Sequence, residues 1–256
     1  MALIDTHCHL DAAEFDADRA AVAARAAAAG VATIVVPGVT RANFGAVASV
    51  CREFAGCVPA YGIHPMYVDD SREEDLGALR EALQRERAVA IGEIGLDYFV
   101  ADRDEAKQNF YFAEQLKIAR DLDLPVLLHV RKAADAVLKQ LRRVAVRGGI
   151  AHAFNGSRQQ AEEFLKLGFK LGFGGAMTHS RATRLRELAA SLPLDAIVLE
   201  TDAPDIPPAW LGRSRNEPAE LARIAAVLAE LRGAALAEVA EATSANARAV
   251  LPALRA

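Results

Sequence analysis

Residues 125–130 read PVLLHV, and residues 134–146 behind them read ADAVLKQLRRVAV. The first is a continuous apolar run opened by a proline, not a strict apolar–polar alternation, and it suits a strand covered on both faces. The second is a helical stretch, so the pair is one strand-then-helix unit. The only titratable side chain of the run, His129, sits at its far end.

The same unit recurs outward in both directions. Candidate strands are Ala2–Thr6, Val31–Pro37 (VATIVVP), Val58–Ile63, Ala88–Ile94 (AVAIGEI), Pro125–Val130, Gly149–His152, Phe169–Phe173 and Ala196–Thr201 (AIVLET). Helical stretches lie between and after them: Asp18–Ala29, Arg41–Phe54, Arg72–Arg85, Asp104–Asp121, Ala134–Val146, Arg158–Leu167, Arg181–Ser191, Pro218–Arg232 and Leu236–Leu251. Leu76, Leu79 and Leu83 share one helix face, and Gly30, Pro125 and Gly168 punctuate helix-to-strand connections. Eight β-then-α units predict an α/β fold, a (β/α)8 TIM barrel, with an open doubly wound sheet as the runner-up. The 256 residues match the roughly 250 such a barrel needs, and no Pro/Gly/Ser linker or charge block divides them, so a single domain over 1–256 is expected.

Composition narrows the class of protein. Apolar residues make up 52% and charged residues 25%, ordinary for a globular chain. A net charge of −4 leaves no broad basic face, so phosphate binding would lean on bound cations for positive charge. The apolar run at 20–29 is interrupted by Arg25 and is too short to span a bilayer, and MALIDTHCHL lacks the basic and apolar regions of a signal peptide, so no membrane is expected. Cys8, Cys51 and Cys57 form no framework, which points to reduced thiols and a cytoplasmic setting.

Chemistry concentrates at strand ends. Five of the six histidines, His7, His9, His64, His129 and His152, fall at or just after the C-terminal end of a predicted strand. In a barrel that rim is where catalysis is built. His7 and His9 are two apart, so on a strand they share a face and can chelate one ion, while Cys8 points away. Glu93, between Gly92 and Ile94 and after an apolar run, is costly there unless paired or metal-bound; the other reading is a buried ion pair with a lysine or arginine. His129 and His152 supply further nitrogen ligands, each equally readable alone as a satisfied core histidine. Asp202 sits at the tip of the last strand, where it can bind metal and orient or deprotonate water; Glu200, two residues earlier on the same face, is the alternative. Arg131 can hold phosphate bidentately or form a rim salt bridge. Asn155, Gly156 and Ser157 precede a helix and can form an anion site or simply cap it. His64 is a candidate substrate contact. His179 carries little functional weight, and Asn216 with Pro218 reads as a helix start.

The ordered motifs DTHCHLD, GIHP, GEIGLD, LHVR, AHAFNGS, GFGG, LETDAP and RNEP, running from Asp5 to the C-terminal helices, together resemble the TatD family of metal-dependent deoxyribonucleases in the amidohydrolase superfamily. The resemblance implies a TIM barrel, one to three divalent cations and hydrolysis of DNA phosphodiester bonds, often 3′→5′ from an end. It implies His7, His9, Glu93 and Asp202 as ligands of one cation, Glu93, His129 and His152 as ligands of a second with Glu93 bridging, and His64 and Arg131 near the scissile phosphate. Catalysis is thus expected to rest on Asp202 and Glu93, substrate binding on His64, Arg131, Asn155 and Ser157, and the cofactor to be two divalent cations, with Zn, Mn, Mg, Co and Fe all compatible with the donors. DNA, single-stranded or at its ends, is the implied partner, and no obligate protein partner is indicated. Two positions depart from the pattern: Ala153, where many members carry Cys or Ser, and Asp205, where many carry an aromatic ring. The competing readings are a hydrolase of a small phosphoester, ester or amide on the same barrel and a non-catalytic binding protein. A glutamate on the fourth strand, where many barrel hydrolases use a modified lysine, favours the nuclease branch, and the complete ligand set disfavours a binding protein.

Overall fold

A computed structural model describes residues 2–255. Eight parallel strands follow one another in sequence order: β1 Leu3–Asp5, β2 Val31–Pro37, β3 Cys57–Tyr61, β4 Ala90–Asp97, β5 Val126–Arg131, β6 Gly149–Ala151, β7 Phe169–Phe173 and β8 Ile197–Leu199. The first and last join through Thr6, whose backbone N–H and hydroxyl both donate to the Leu199 carbonyl at 3.1 and 3.0 Å. That closes the sheet into a (β/α)8 TIM barrel and excludes the open doubly wound alternative, in which β1 would not meet β8.

Helices α1 Arg19–Ala28, α2 Phe44–Glu53, α3 Glu74–Arg85, α4 Glu105–Asp121, α5 Ala134–Arg143, α6 Arg158–Lys166, α7 Thr183–Ser191 and α8 Leu221–Arg232 alternate with the strands, and α9 Leu236–Val250 ends the set. Local chemistry explains their limits. Asp104 accepts from the Lys107 N–H at 2.9 Å and caps α4. Gly30 and Gly168, at φ 86° and 83°, supply the left-handed turn that leads out of α1 and α6 into the next strand.

Two apolar layers follow from the strand period of two. Outward-pointing residues such as Val36, Ile91, Leu128, Leu171 and Leu199 form the large core against the helices. Inward-pointing Ile4, Val35, Ala60, Leu127, Ile150 and Val198 fill the barrel floor, and Ala247, Val250 and Leu251 at the end of α9 pack onto them. The apolar floor leaves only the C-terminal rim to polar chemistry. Continuing up the inner face by steps of two leads from Leu127 to His129 and Arg131, from Ile150 to His152, and from Val198 to Glu200 and Asp202. β4 reaches the same face through a register shift between Ile91 and Ile94, after which Ile94 and Leu96 pack outward.

The expected boundaries shift in places. β4 runs three residues past Ile94 to Asp97, β6 and β8 stop short of His152 and Thr201, and a short 3-10 turn over Pro218–Glu220 precedes α8. Further 3-10 turns at Ala13–Phe15, Arg41–Asn43, Pro65–Asp70, Gly175–Thr178 and Ala209–Leu211 shape the rim loops. No helix among the described residues is long and apolar enough to cross a membrane. All three cysteines are free; Cys8 lies fully buried in the outer core, turned away from its histidine neighbours.

Candidate metal centre

The barrel mouth opens into a cleft of about 1490 Å³ whose floor carries His9, His64, Glu93, His129, His152 and Asp202, with His7 buried beneath. Glu93 stands at the centre. Its Oε2 lies 3.0 Å from His7 Nε2 and 3.6 Å from His9 Nε2, and those nitrogens lie 3.6 and 3.8 Å from Asp202 Oδ1. Its Oε1 faces the other way, 2.7 Å from His129 Nδ1, 3.1 Å from His152 Nε2 and 3.3 Å from His64 Nε2. The rings of His7 and His152 stack at 3.9 Å and 15°, so the two groups adjoin. One carboxylate thus presents an oxygen to each of two clusters of donors.

Hydrogen bonds behind the clusters decide what each ring can do. His129 Nε2 lies 3.0 Å from Asp97 Oδ2 and donates its N–H to that carboxylate. That leaves the Nδ1 lone pair facing the Glu93 oxygen, and two lone pairs at such a distance need a cation or a proton beside them. His7 Nε2 and His9 Nε2 approach to 3.3 Å, so the two nitrogens share one proton or face one cation. The donors present, imidazoles and carboxylates in a converging set, fit divalent transition metals. His64 differs. Its Nδ1 accepts the Met66 N–H at 3.1 Å, which places the ring proton on Nε2, pointing at Glu93 and the cleft. His64 is therefore built as a donor, not as a ligand.

Charges follow the same geometry. Burial pushes His7 down to about 3 and His64 to about 4, keeping both imidazoles neutral. Burial also opposes protonation of His9, but the Glu93 carboxylate, joined by Asp202, outweighs it and lifts His9 to about 9. Burial likewise works against ionised Glu93, yet the surrounding imidazoles of His152, His64 and His7 hold its carboxyl well below the usual range. Burial raises Asp202 to about 6.

The two acids of the last strand separate by position. Asp202 faces His7 and His9, at a residue with φ 57° whose N–H donates to the His7 carbonyl at 2.8 Å. Glu200 lies behind His152, with Oε1 3.5 Å from His152 Nδ1 and accepting the Ala153 N–H at 2.5 Å. Gly172 on β7 makes room for it: a Cβ there would sit 2.2 Å from Glu200 Oε2. Glu200 therefore braces a ring and does not share the position of Asp202.

Of the other expected residues, Arg131 and Asn155 reach the cleft wall and Ser157 does not. Arg131 lies over the Phe99 ring at 3.9 Å, with its nearest carboxylate, Asp97, at 4.0 Å. Asn155 Oδ1 accepts from Arg184 at 3.1 Å. The Ser157 hydroxyl accepts the Gln160 N–H at 3.1 Å while Gln160 returns a bond to the Ser157 N–H, so this residue is occupied with capping α6. His179 is exposed and pairs with the Pro207 carbonyl.

Sequence reading missed three supports. Asp97 lies four residues after Glu93 on the same strand face, a spacing that marks it as a partner for something at the rim. Asp5 is buried and holds the β1 and β8 ends together, accepting from the Thr201 hydroxyl at 2.6 Å and from the Thr201 and His7 N–H groups at 2.9 and 3.3 Å. Asn216 is fully buried, not merely a helix start: its Nδ2 donates to the carbonyls of Thr201 and Asp205 at 2.8 and 2.9 Å and fixes the loop that carries Asp202. Asn216→Ala leaves those carbonyls unpaired and is expected to cost ~1–3 kcal/mol, about 2–4 °C in Tm for each kcal/mol in a chain of this size; a thermal unfolding curve unchanged within error would show that the clamp carries no weight. Asp97→Ala releases the His129 ring and is expected to weaken metal affinity about 10–100-fold, as read by metal titration, with activity returning at high metal concentration.

A closed (β/α)8 barrel whose rim gathers histidines and carboxylates around a central glutamate defines a metal-dependent hydrolase. The family described as TatD related DNase matches residues 4–252, and the chain belongs to the TatD family of metal-dependent hydrolases. It is 43% identical to an uncharacterized metal-dependent hydrolase, YjjV, of Escherichia coli (strain K12), over 93% of each chain. The crystal structure of that TatD homolog superposes with a TM-score of 0.94 at 41% identity, covering 98% of both chains. A protein of Cronobacter sakazakii named as the 3′-5′ ssDNA/RNA exonuclease TatD is 34% identical over 96% of each.

Proposed function

We propose that the protein is a deoxyribonuclease that shortens single-stranded DNA from its 3′ end, with two divalent cations held on either side of Glu93. The observation that carries this reading is the split of the Glu93 carboxylate between two donor clusters. His7, His9 and Asp202 with Oε2 would hold one cation, and His129 and His152 with Oε1 the other. Such a pair supplies concentrated positive charge for the phosphodiester and makes hydroxide available at neutral pH. The printed name of the Cronobacter relative supports the choice of a nucleic-acid substrate.

The chain's own groups have separable tasks. Asp202, at the strand tip and partly reachable from the cleft, orients the attacking water and takes its proton. His64 offers its Nε2–H to a phosphate oxygen. Arg131, half-exposed and braced on Phe99, presents its fork to the same phosphate, and Asn155 adds a polar contact from the next loop. The whole of residues 1–256 acts as one domain, and three free thiols suit the cytoplasm.

The test is a time course of metal-loaded protein on single-stranded DNA labelled at its 5′ end, with chelator and Asp202→Ala controls. A descending ladder that vanishes in both controls supports the reading. Metal-loaded protein that leaves the DNA intact but hydrolyses a small phosphoester or amide overturns the DNA assignment.

A further inference from the structure

The rim of the cleft is chemically two-sided. On the β3–β7 arc the loops expose Met66 and Tyr67 after β3 and Phe99 after β4, at 52%, 45% and 57% of their surface. Lys132 follows β5 and Arg184 stands near the start of α7, both exposed, and the exposed acid on this wall, Asp135, accepts from Gln160 Nε2 at 2.9 Å. Neither cation lies within 4.0 Å of a carboxylate among the described residues, and the closest polar partner of Arg184 is the neutral Asn155 amide. On the β8–β1 arc the lining acids are Asp205, Asp11 and Glu14, with no lysine or arginine. Exposed rings on a wet cleft are costly unless something covers them, and unneutralised cations beside them attract anions. Rings and cations in sequence along one wall match a chain that alternates flat bases with phosphates.

Resting on the nuclease reading, we infer that single-stranded oligonucleotide lies along the β3–β7 arc, with bases stacked on Tyr67 and Phe99 and with Lys132 and Arg184 holding phosphates beyond the one being cleaved. Phe99 serves two ends: one face braces Arg131, and its remaining exposed surface takes a base. The acidic β8–β1 arc repels a continuing backbone, so the track has a closed side. Asp205 lies on that closed side, and the stacking surface of this chain comes from the opposite wall.

The test compares wild type with Lys132→Ala/Arg184→Ala and with Tyr67→Ala on two substrates: a labelled ten-nucleotide DNA strand and bis(p-nitrophenyl) phosphate, a diester too short to reach the arc. Binding of the same strand to metal-loaded Asp202→Asn protein, alone and combined with these substitutions, is followed by fluorescence anisotropy. The double variant should raise the DNA KM about tenfold and flatten the log–log salt dependence of binding by about 0.7 for each cation removed. Tyr67→Ala should weaken binding about tenfold, independently of salt. The small diester should be hydrolysed as by wild type. Equal losses on both substrates, or no change in DNA binding, would overturn the track. DNA that binds with these dependences but is never cleaved would support the track and defeat the nuclease reading, whereas DNA that neither binds nor reacts while the small diester is turned over would defeat both.

Discussion

Glu93→Ala is expected to strip the protein of both cations and to remove nearly all activity. The substitution deletes the one side chain with an oxygen in each donor cluster, 3.0 Å from His7 on one side and 2.7 Å from His129 on the other. It also leaves five imidazoles facing one another with no counter-charge at their centre. Losing the several kcal/mol of transition-state stabilisation that cations contribute corresponds to a fall in kcat of at least about 10³-fold. Elemental analysis of the purified variant checks the first half and a turnover assay the second. Glu93→Gln, which keeps the shape but not the charge, separates coordination from packing: it should fold and still bind metal poorly. Full metal content and turnover in Glu93→Ala would remove the bridging role.

Asp202→Ala should cost less metal and almost as much activity. Asp202 lies on the His7 and His9 side alone, so the loss should be at most one equivalent, with His129 and His152 still facing Glu93 Oε1. The kcat on any substrate should fall about 10²–10⁴-fold, the usual worth of a general base, with a smaller effect on KM. Glu200→Gln provides the contrast. Because Glu200 braces His152 and the Ala153 N–H and does not face His7 and His9, its loss should appear first as weaker metal binding that added metal rescues. A Glu200 variant that keeps its metal and loses turnover, beside an active Asp202 variant, would reverse the two roles.

Much of this architecture was legible in the chain. The barrel followed from eight apolar runs alternating with helical stretches, because a strand covered on both faces leaves a continuous hydrophobic signature. The rim histidines were legible because four of the eight apolar runs carry one at their end or are followed at once by one. What the sequence did not show is where each polar residue points once strands shift register. The end of β4 reads as finished at Ile94, yet the shift between Ile91 and Ile94 carries it on to Asp97 and turns Asp97 toward His129. Asn216 was read as a helix-start residue because Asn before Pro suits one, and nothing local reports that its amide is buried under the Asp202 loop. Ser157 shows the converse: a hydroxyl beside an anion-binding pattern is taken up by the helix it starts. Glu200 and Asp202 were indistinguishable by period alone, and were separated only by the space that Gly172 leaves on the neighbouring strand.

Bridging of two metal positions by Glu93 is tested most directly by an anomalous-scattering map from crystals grown with manganese, recorded at the manganese edge. Two peaks are expected, one bounded by His7, His9 and Asp202 and one by His129 and His152, each in contact with a different oxygen of Glu93. A single peak that touches only one Glu93 oxygen, or two peaks that leave Glu93 uncoordinated, would contradict it.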